Sequence, residues 1–256
     1  MSTGAGNVHA TFNYLTKLFM QTELERFTRQ LHDVWLPAFC SDEKRKFDPA
    51  GFKDASIMLT EFDASNFLRA IESGLVRDTG GGRYQCSKSS AQEQIFWEGL
   101  KSVEPRPLTL WLEPVITMGT IARLSLDFGW PPDVLGMQSK DWAFDFVVYQ
   151  SPTSKKEYVS GEVKTTALKC DNLIADFQAY GKTGASVPLS EHPRHKNSLN
   201  KWKSLLNGRA NLLWIVGPDD YTHLFEVQYG PDKTAHFLKT TLDRLQSGNV
   251  DPSTLL

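Results

Sequence analysis

Two runs rich in aromatic and β-branched residues, Trp142–Tyr149 and Glu157–Thr166, lie either side of a seven-residue polar loop that carries Ser151-Pro152. Such runs favour strands, and the loop composition favours a turn, so the simplest arrangement is a β-hairpin. Side chains alternate along a strand, which puts Glu162 and Lys164 on one face and Val163 on the other. An antiparallel partner then brings Asp145 beside Glu162. A lone acid within an aromatic strand is costly to bury unless something pairs with it. A plain cross-strand charge pair is one reading of these residues. A site for a hard divalent cation, with an ammonium beside it, is the reading that also accounts for Asp145.

The rest of the chain sets the frame for this hairpin. Phe12 to Phe39 carries apolar residues at helical spacing, with Pro37 expected to end the helix. Residues 63–73 repeat the pattern, with Asp63 as the candidate cap and Gly74 as the stop. Leu75–Asp78, Thr79–Gly82 and Arg83–Cys86 read as strand, glycine turn and strand. This helix-plus-hairpin run resembles the recognition helix and wing of winged helix-turn-helix domains. The resemblance implies Arg69, Arg77, Arg83 and Lys88 as DNA contacts; the other reading is a module that only holds proteins together, with these residues as ordinary solvated surface. Ser87–Lys101 is expected to be a helical connector, followed by a break at Pro105 and Pro107.

Beyond it, the order is a helix after Pro114, the hairpin, and a helix over 170–180. A short helix over 199–206, a buried strand over 211–216, a neighbouring strand over 222–229 and a terminal helix over 234–246 complete the chain. Helix, strands, helix and strand in that order predict an α/β layer fold. The stretch from 166 to 211 is long enough for a parallel crossover. The expected division is a helical module over 1–95 and a mixed α+β domain over 96–256.

Charge is informative only locally. The net charge is −2, yet residues 151–210 hold ten Lys/Arg against five Asp/Glu. Three widely spaced cysteines match neither a zinc spacing nor a disulfide framework. No apolar run approaches the roughly 20 residues of a membrane span, and a cytoplasmic location is expected.

A helix with an early acid, then Asp145 on one strand and Glu162-Val163-Lys164 on the next, then a helix and another strand, resembles the PD-(D/E)XK nuclease superfamily. The resemblance covers roughly residues 108–229, with Phe144 standing where the motif name has proline. It implies a restriction-endonuclease-like mixed sheet flanked by helices. Asp145 and Glu162 would hold Mg²⁺ (Mn²⁺ substituting), the Val163 backbone carbonyl would add a ligand, and Lys164 would orient water and offset negative charge. Glu113, just ahead of Pro114, would be the helix-borne acid; a charge favoured by the helix dipole is its other reading. Gln178 and Tyr180 would approach from the later helix. Lys169, Lys182, Arg194, Lys196, Lys201 and Lys203 would neutralise phosphates, with Lys155 and Lys156 at the hairpin tip. Trp202 reads as a core anchor, and His192 and His195 as loop surface near phosphate. The implied activity is a Mg²⁺-dependent endodeoxyribonuclease acting on duplex DNA, with a homodimer suited to cutting both strands. A non-catalytic DNA-binding scaffold and an RNA- or junction-directed nuclease are the alternatives.

Overall fold

The computed structural model describes residues 21–42, 47–183, 193–231 and 233–249, with the backbone alone at 183 and 193–195. Helix α1 (Glu23–Gln30) opens with a capping box in which Thr22 and Glu25 exchange side-chain-to-backbone bonds. A π-turn over Leu31–Trp35 leads into α2 (Leu36–Cys40). The helix therefore runs through Pro37 rather than ending there. The Leu36 N–H bonds five residues back to Leu31, and this wider turn leaves room for a ring that lacks an N–H. Phe27, Leu31, Trp35 and Phe39 form its buried stripe. The expected start of this helix, from Phe12, lies outside the described residues.

Helix α3 (Glu61–Glu72) starts two residues before Asp63 because Thr60 is its cap. Thr60 Oγ1 accepts the Asp63 N–H at 3.2 Å and donates to Asp63 Oδ2 at 2.9 Å. The expected hairpin follows as β1 (Arg77–Gly80) and β2 (Arg83–Gln85), and β3 (Glu93–Gln94) adds to it. Strand β4 (Phe96–Glu98) pairs with β5 (Leu108–Leu110). The helix expected over 87–101 is thus replaced by strands. A helical stripe would have buried Trp97 and Leu100, which are 58% and 73% exposed, whereas adjacent Ile95 and Phe96 are buried. β2 and β5 supply backbone partners on either side.

Helix α4 (Leu112–Ala122) carries Pro114 in its first turn, where the missing N–H is no loss. It is buried almost throughout and packs along α3. A Cβ on Gly119 would stand 3.0 Å from Asn66 Cβ, so the small residue permits that approach. One apolar core joins Phe67, Tyr84, Ile95, Phe96, Leu108 and Val115 to strand residues Phe146, Val163 and Trp214. It runs without a break across the expected division at 95/96.

The central sheet contains β6 (Leu135–Met137), β7 (Phe146–Tyr149) and β8 (Glu157–Val163). Helices α5 (Ala167–Thr183) and α6 (Pro193–Gly208) then cross over to β9 (Leu212–Val216), β10 (Thr222–Tyr229) and β11 (Ala235–Thr240). The strand order is β11-β10-β9-β8-β7-β6. β8 and β9 run parallel, and the other neighbours are antiparallel. The fold is a mixed α+β structure. Leu212, Trp214 and Val216 face the α4 side, while Leu213 and Ile215 join α5 and α6 in a second core. β11 replaces the expected terminal helix, because Ala235 and Phe237 alternate onto that second core while β10 pairs the backbone. Among the described residues no helix is long and apolar enough to cross a membrane.

Candidate metal centre

β7 and β8 form the expected hairpin, and their register sets Phe146 opposite Gly161. Asp145 lies one residue ahead of β7, yet the ladder continues through it. Its N–H donates to Gly161 O at 2.9 Å, and its carbonyl accepts the Gln138 N–H at 2.8 Å. Asp145 and Glu162 therefore meet at one end of the hairpin. A Cβ on Gly161 would fall 2.0 Å from the Phe146 ring, so glycine is what allows the two strands to keep this register.

The carboxylates have different partners. Asp145 Oδ2 accepts the Val163 N–H at 2.8 Å, and Oδ1 has no hydrogen bond among the described residues. Glu162 is 1% exposed. Lys164 Nζ donates to its Oε1 and, at 2.9 Å, to the Val163 carbonyl. Lys201 Nζ, from α6, donates to Glu162 Oε2 at 2.7 Å and also to the Ala143 carbonyl. Glu113, in the first turn of α4, has a carboxylate oxygen 4.0 Å from Lys164 Nζ.

Electrostatics follow from this crowding. Burial, reinforced by the charge of Glu162, pushes the Asp145 carboxyl up to about 8 despite the two lysines. Burial opposes the charge on Lys164, but Glu162, Asp145 and Glu113 together hold its pKa above the ordinary lysine value. Neighbouring Glu93 is also raised, by burial first; Gln138 Nε2 donates to it at 2.5 Å.

The donor set decides what could bind. Among the described residues no cluster of three or more His, Cys, Asp or Glu side chains is placed to hold a metal ion. The ligands on offer are two carboxylates and one backbone carbonyl, with one Asp145 oxygen that has no hydrogen bond among the described residues. That fits a hard cation such as Mg²⁺, which keeps several waters and is commonly held by one or two carboxylates plus substrate oxygens. It does not fit an all-protein cage. Binding there requires Lys164 to leave the Val163 carbonyl, which it would otherwise share with the cation.

The chain was also compared with known proteins. It matches no family model, no curated protein and no solved structure.

The remaining expected residues divide. Lys201 is not a surface phosphate contact, because it is 7% exposed and bonded to Glu162. Ser198 and Leu205, three and four residues away, are buried on the same helical face, and adjacent Trp202 is buried too. Its place four residues before the apolar Leu205 and next to Trp202 is the signal that could have revealed it. Lys169, Lys182, Lys196 and Lys203 are exposed along α5 and α6, and Lys169 Nζ donates to Thr165 at 2.8 Å. The Arg194 and His195 side chains and all of His192 lie outside the described residues. Tyr180 bonds Ser198 at 2.9 Å within the α5–α6 packing and Gln178 is exposed. Neither hydrogen-bonds the carboxylates. Trp202 is the core anchor expected. Arg77 and Arg83 are exposed on the β1–β2 hairpin. Arg69 is tied to Asp127 at 2.5 Å, and Lys88 lies 5.2 Å from the Tyr149 ring centre.

Proposed function

We propose that the protein is a metal-dependent nuclease of the PD-(D/E)XK kind, hydrolysing phosphodiester bonds in DNA at the Asp145–Glu162 site. The observation that carries this is the meeting of Asp145, Glu162 and Lys164 at one end of β7 and β8, with Asp145 Oδ1 unbonded among the described residues. Asp145, Glu162 and the Val163 carbonyl would hold Mg²⁺, with Glu113 at longer range. When bound, the cation supplies Lewis acidity and positive charge at a phosphate ester and the water attacking it.

The chain's own residues do the rest. Lys164, released from the Val163 carbonyl, presents an ammonium to a phosphate oxygen and stabilises the charge that builds there. Lys201 holds Glu162 in one orientation and fixes the Ala143 carbonyl beside it. Glu113 keeps Lys164 close and charged. The exposed lysines 169, 182, 196 and 203 give phosphates of a longer substrate a place to lie, which makes affinity fall with salt. If both strands of a duplex are cut, two copies are needed, which a homodimer would supply.

The test is incubation of the protein with duplex DNA, single-stranded DNA and RNA, in Mg²⁺ and in EDTA. DNA should be cut in Mg²⁺ alone, and Asp145→Asn and Lys164→Met should each lose at least about 100-fold in rate. Binding without any Mg²⁺-dependent cleavage would favour a regulatory scaffold, and preferential cutting of RNA would move the substrate.

A further inference from the structure

Trp142 stands three residues ahead of Asp145 and is 69% exposed, more than Trp97 at 58%. It also has φ 61°. Positive φ is disfavoured for a bulky residue and persists only where its surroundings impose it. Here they do. Buried Ser139 is the hub of the turn. Its Oγ accepts the Ala143 and Phe144 N–H groups at 2.9 Å each and donates to Asp141 at 2.8 Å. The Trp142 N–H donates to the Ser139 carbonyl at 2.9 Å. Asp141 is bonded in turn to Ser204 of α6. The next carbonyl along, Ala143 O, accepts from Lys201, the same ammonium that holds Glu162. A disfavoured backbone conformation is therefore maintained to put an indole in solvent on a turn anchored to the carboxylate site.

Packing does not account for that ring. A lipid surface would call for apolar neighbours, whereas the residues before it are Lys140 and Asp141, both exposed. An exposed flat ring two residues from an exposed lysine suits a nucleobase with its phosphate, since every base has a face that stacks on an aromatic side chain. We propose that Trp142 stacks on one nucleobase that has left the helical stack beside the phosphate held at the Asp145–Glu162 site. The preferred substrate is accordingly single-stranded DNA, or a duplex opened at the cut. This rests on the nuclease reading of that site and adds to it which part of the substrate the protein grips.

Trp142→Gly and Trp142→Phe test it, with a fluorescein-labelled single strand and its duplex, and Ca²⁺ in place of Mg²⁺ to permit binding without cleavage. Anisotropy should show Trp142→Gly weakening single-strand binding about 10-fold or more, Trp142→Phe keeping most of it, and an unchanged salt slope. Glycine accepts φ 61° freely, so the thermal midpoint of Trp142→Gly should equal or exceed that of the wild type. The tryptophan emission quenched on adding DNA to the wild type should be lost in the variant. Equal binding by Trp142→Gly and wild type overturns the proposal while leaving the nuclease reading intact. So does a loss as large in Trp142→Phe, or a lowered midpoint in Trp142→Gly, which would make the indole a packing residue. A wild-type protein that neither binds nor cuts any DNA overturns both readings together.

Discussion

Lys201 Nζ lies 2.7 Å from Glu162 Oε2, joining α6 to β8 inside the layer between sheet and helices. Glu162 is 1% exposed and Lys201 7%, so water cannot replace the contact if one partner goes, and only Lys164 on Glu162 and the Ala143 carbonyl on Lys201 remain. Lys201→Met should destabilise in urea unfolding, by less than the about 3–5 kcal/mol of a buried charge left with no partner, because Lys164 still holds Glu162 Oε1. Lys201→Met combined with Glu162→Gln should fall short of the summed single costs by about 1–3 kcal/mol. Additive losses would show that the contact is not a working pair.

Asp145 makes the stability of the cation-free protein pH-dependent in an unusual direction. Its folded pKa of about 8 lies above the ordinary 3.8, so between those values the folded state binds more protons than the unfolded one. Stability from this group is full below about pH 4, declines as pH rises to about 8, and is then level. Glu157, raised to about 7 chiefly by burial, slopes the same way, so the comparison that isolates Asp145 is wild type against Asp145→Asn. In EDTA the variant should be the more stable at pH 7, by about 1–3 kcal/mol, with the gap closing toward pH 4. A gap that widens on acidification would contradict the assignment.

Gly161 is a second point at which stability and the site are joined. An added methyl would meet the Phe146 ring at 2.0 Å, and the ring is fully buried. Gly161→Ala should destabilise by about 1–3 kcal/mol and shift Asp145 relative to Glu162. Phe146→Leu in the same chain should recover part of the loss, because it removes the colliding ring. Equilibrium unfolding of the three variants decides this, and a neutral Gly161→Ala would mean the strands are freer than the register implies.

Much of the sheet was legible because its signals are local. The polar loop between two β-rich runs announced the β7–β8 hairpin, and the five apolar residues of β9, stopped by Gly217-Pro218, announced a buried strand. The Asp145–Glu162 approach followed from strand alternation alone. Where partners lie far off in sequence, the reading failed. Glu93–Glu98 and Ala235–Thr240 have apolar residues compatible with either period, and pairing with β2, β5 and β10 decided for strand. Pro37 was read as a stop because a π-turn that accommodates it leaves no plain mark in composition. Lys201 sits in a basic stretch, so its charge looked like surface; only the apolar Trp202 beside it and Leu205 four residues on hinted otherwise. The expected division near 95/96 was read from the break at Pro105 and Pro107, and one apolar core spans that position.

The central claim is that Asp145 and Glu162 hold a divalent cation in place of an ammonium. Crystals of the protein soaked in Mn²⁺ and measured at the manganese absorption edge test it directly. The account predicts an anomalous peak about 2.0–2.6 Å from Asp145 Oδ1, a Glu162 oxygen and the Val163 carbonyl, with Lys164 Nζ moved off that carbonyl. An anomalous map with no peak there, and Lys164 still on Val163 and Glu162 at saturating Mn²⁺, would contradict it.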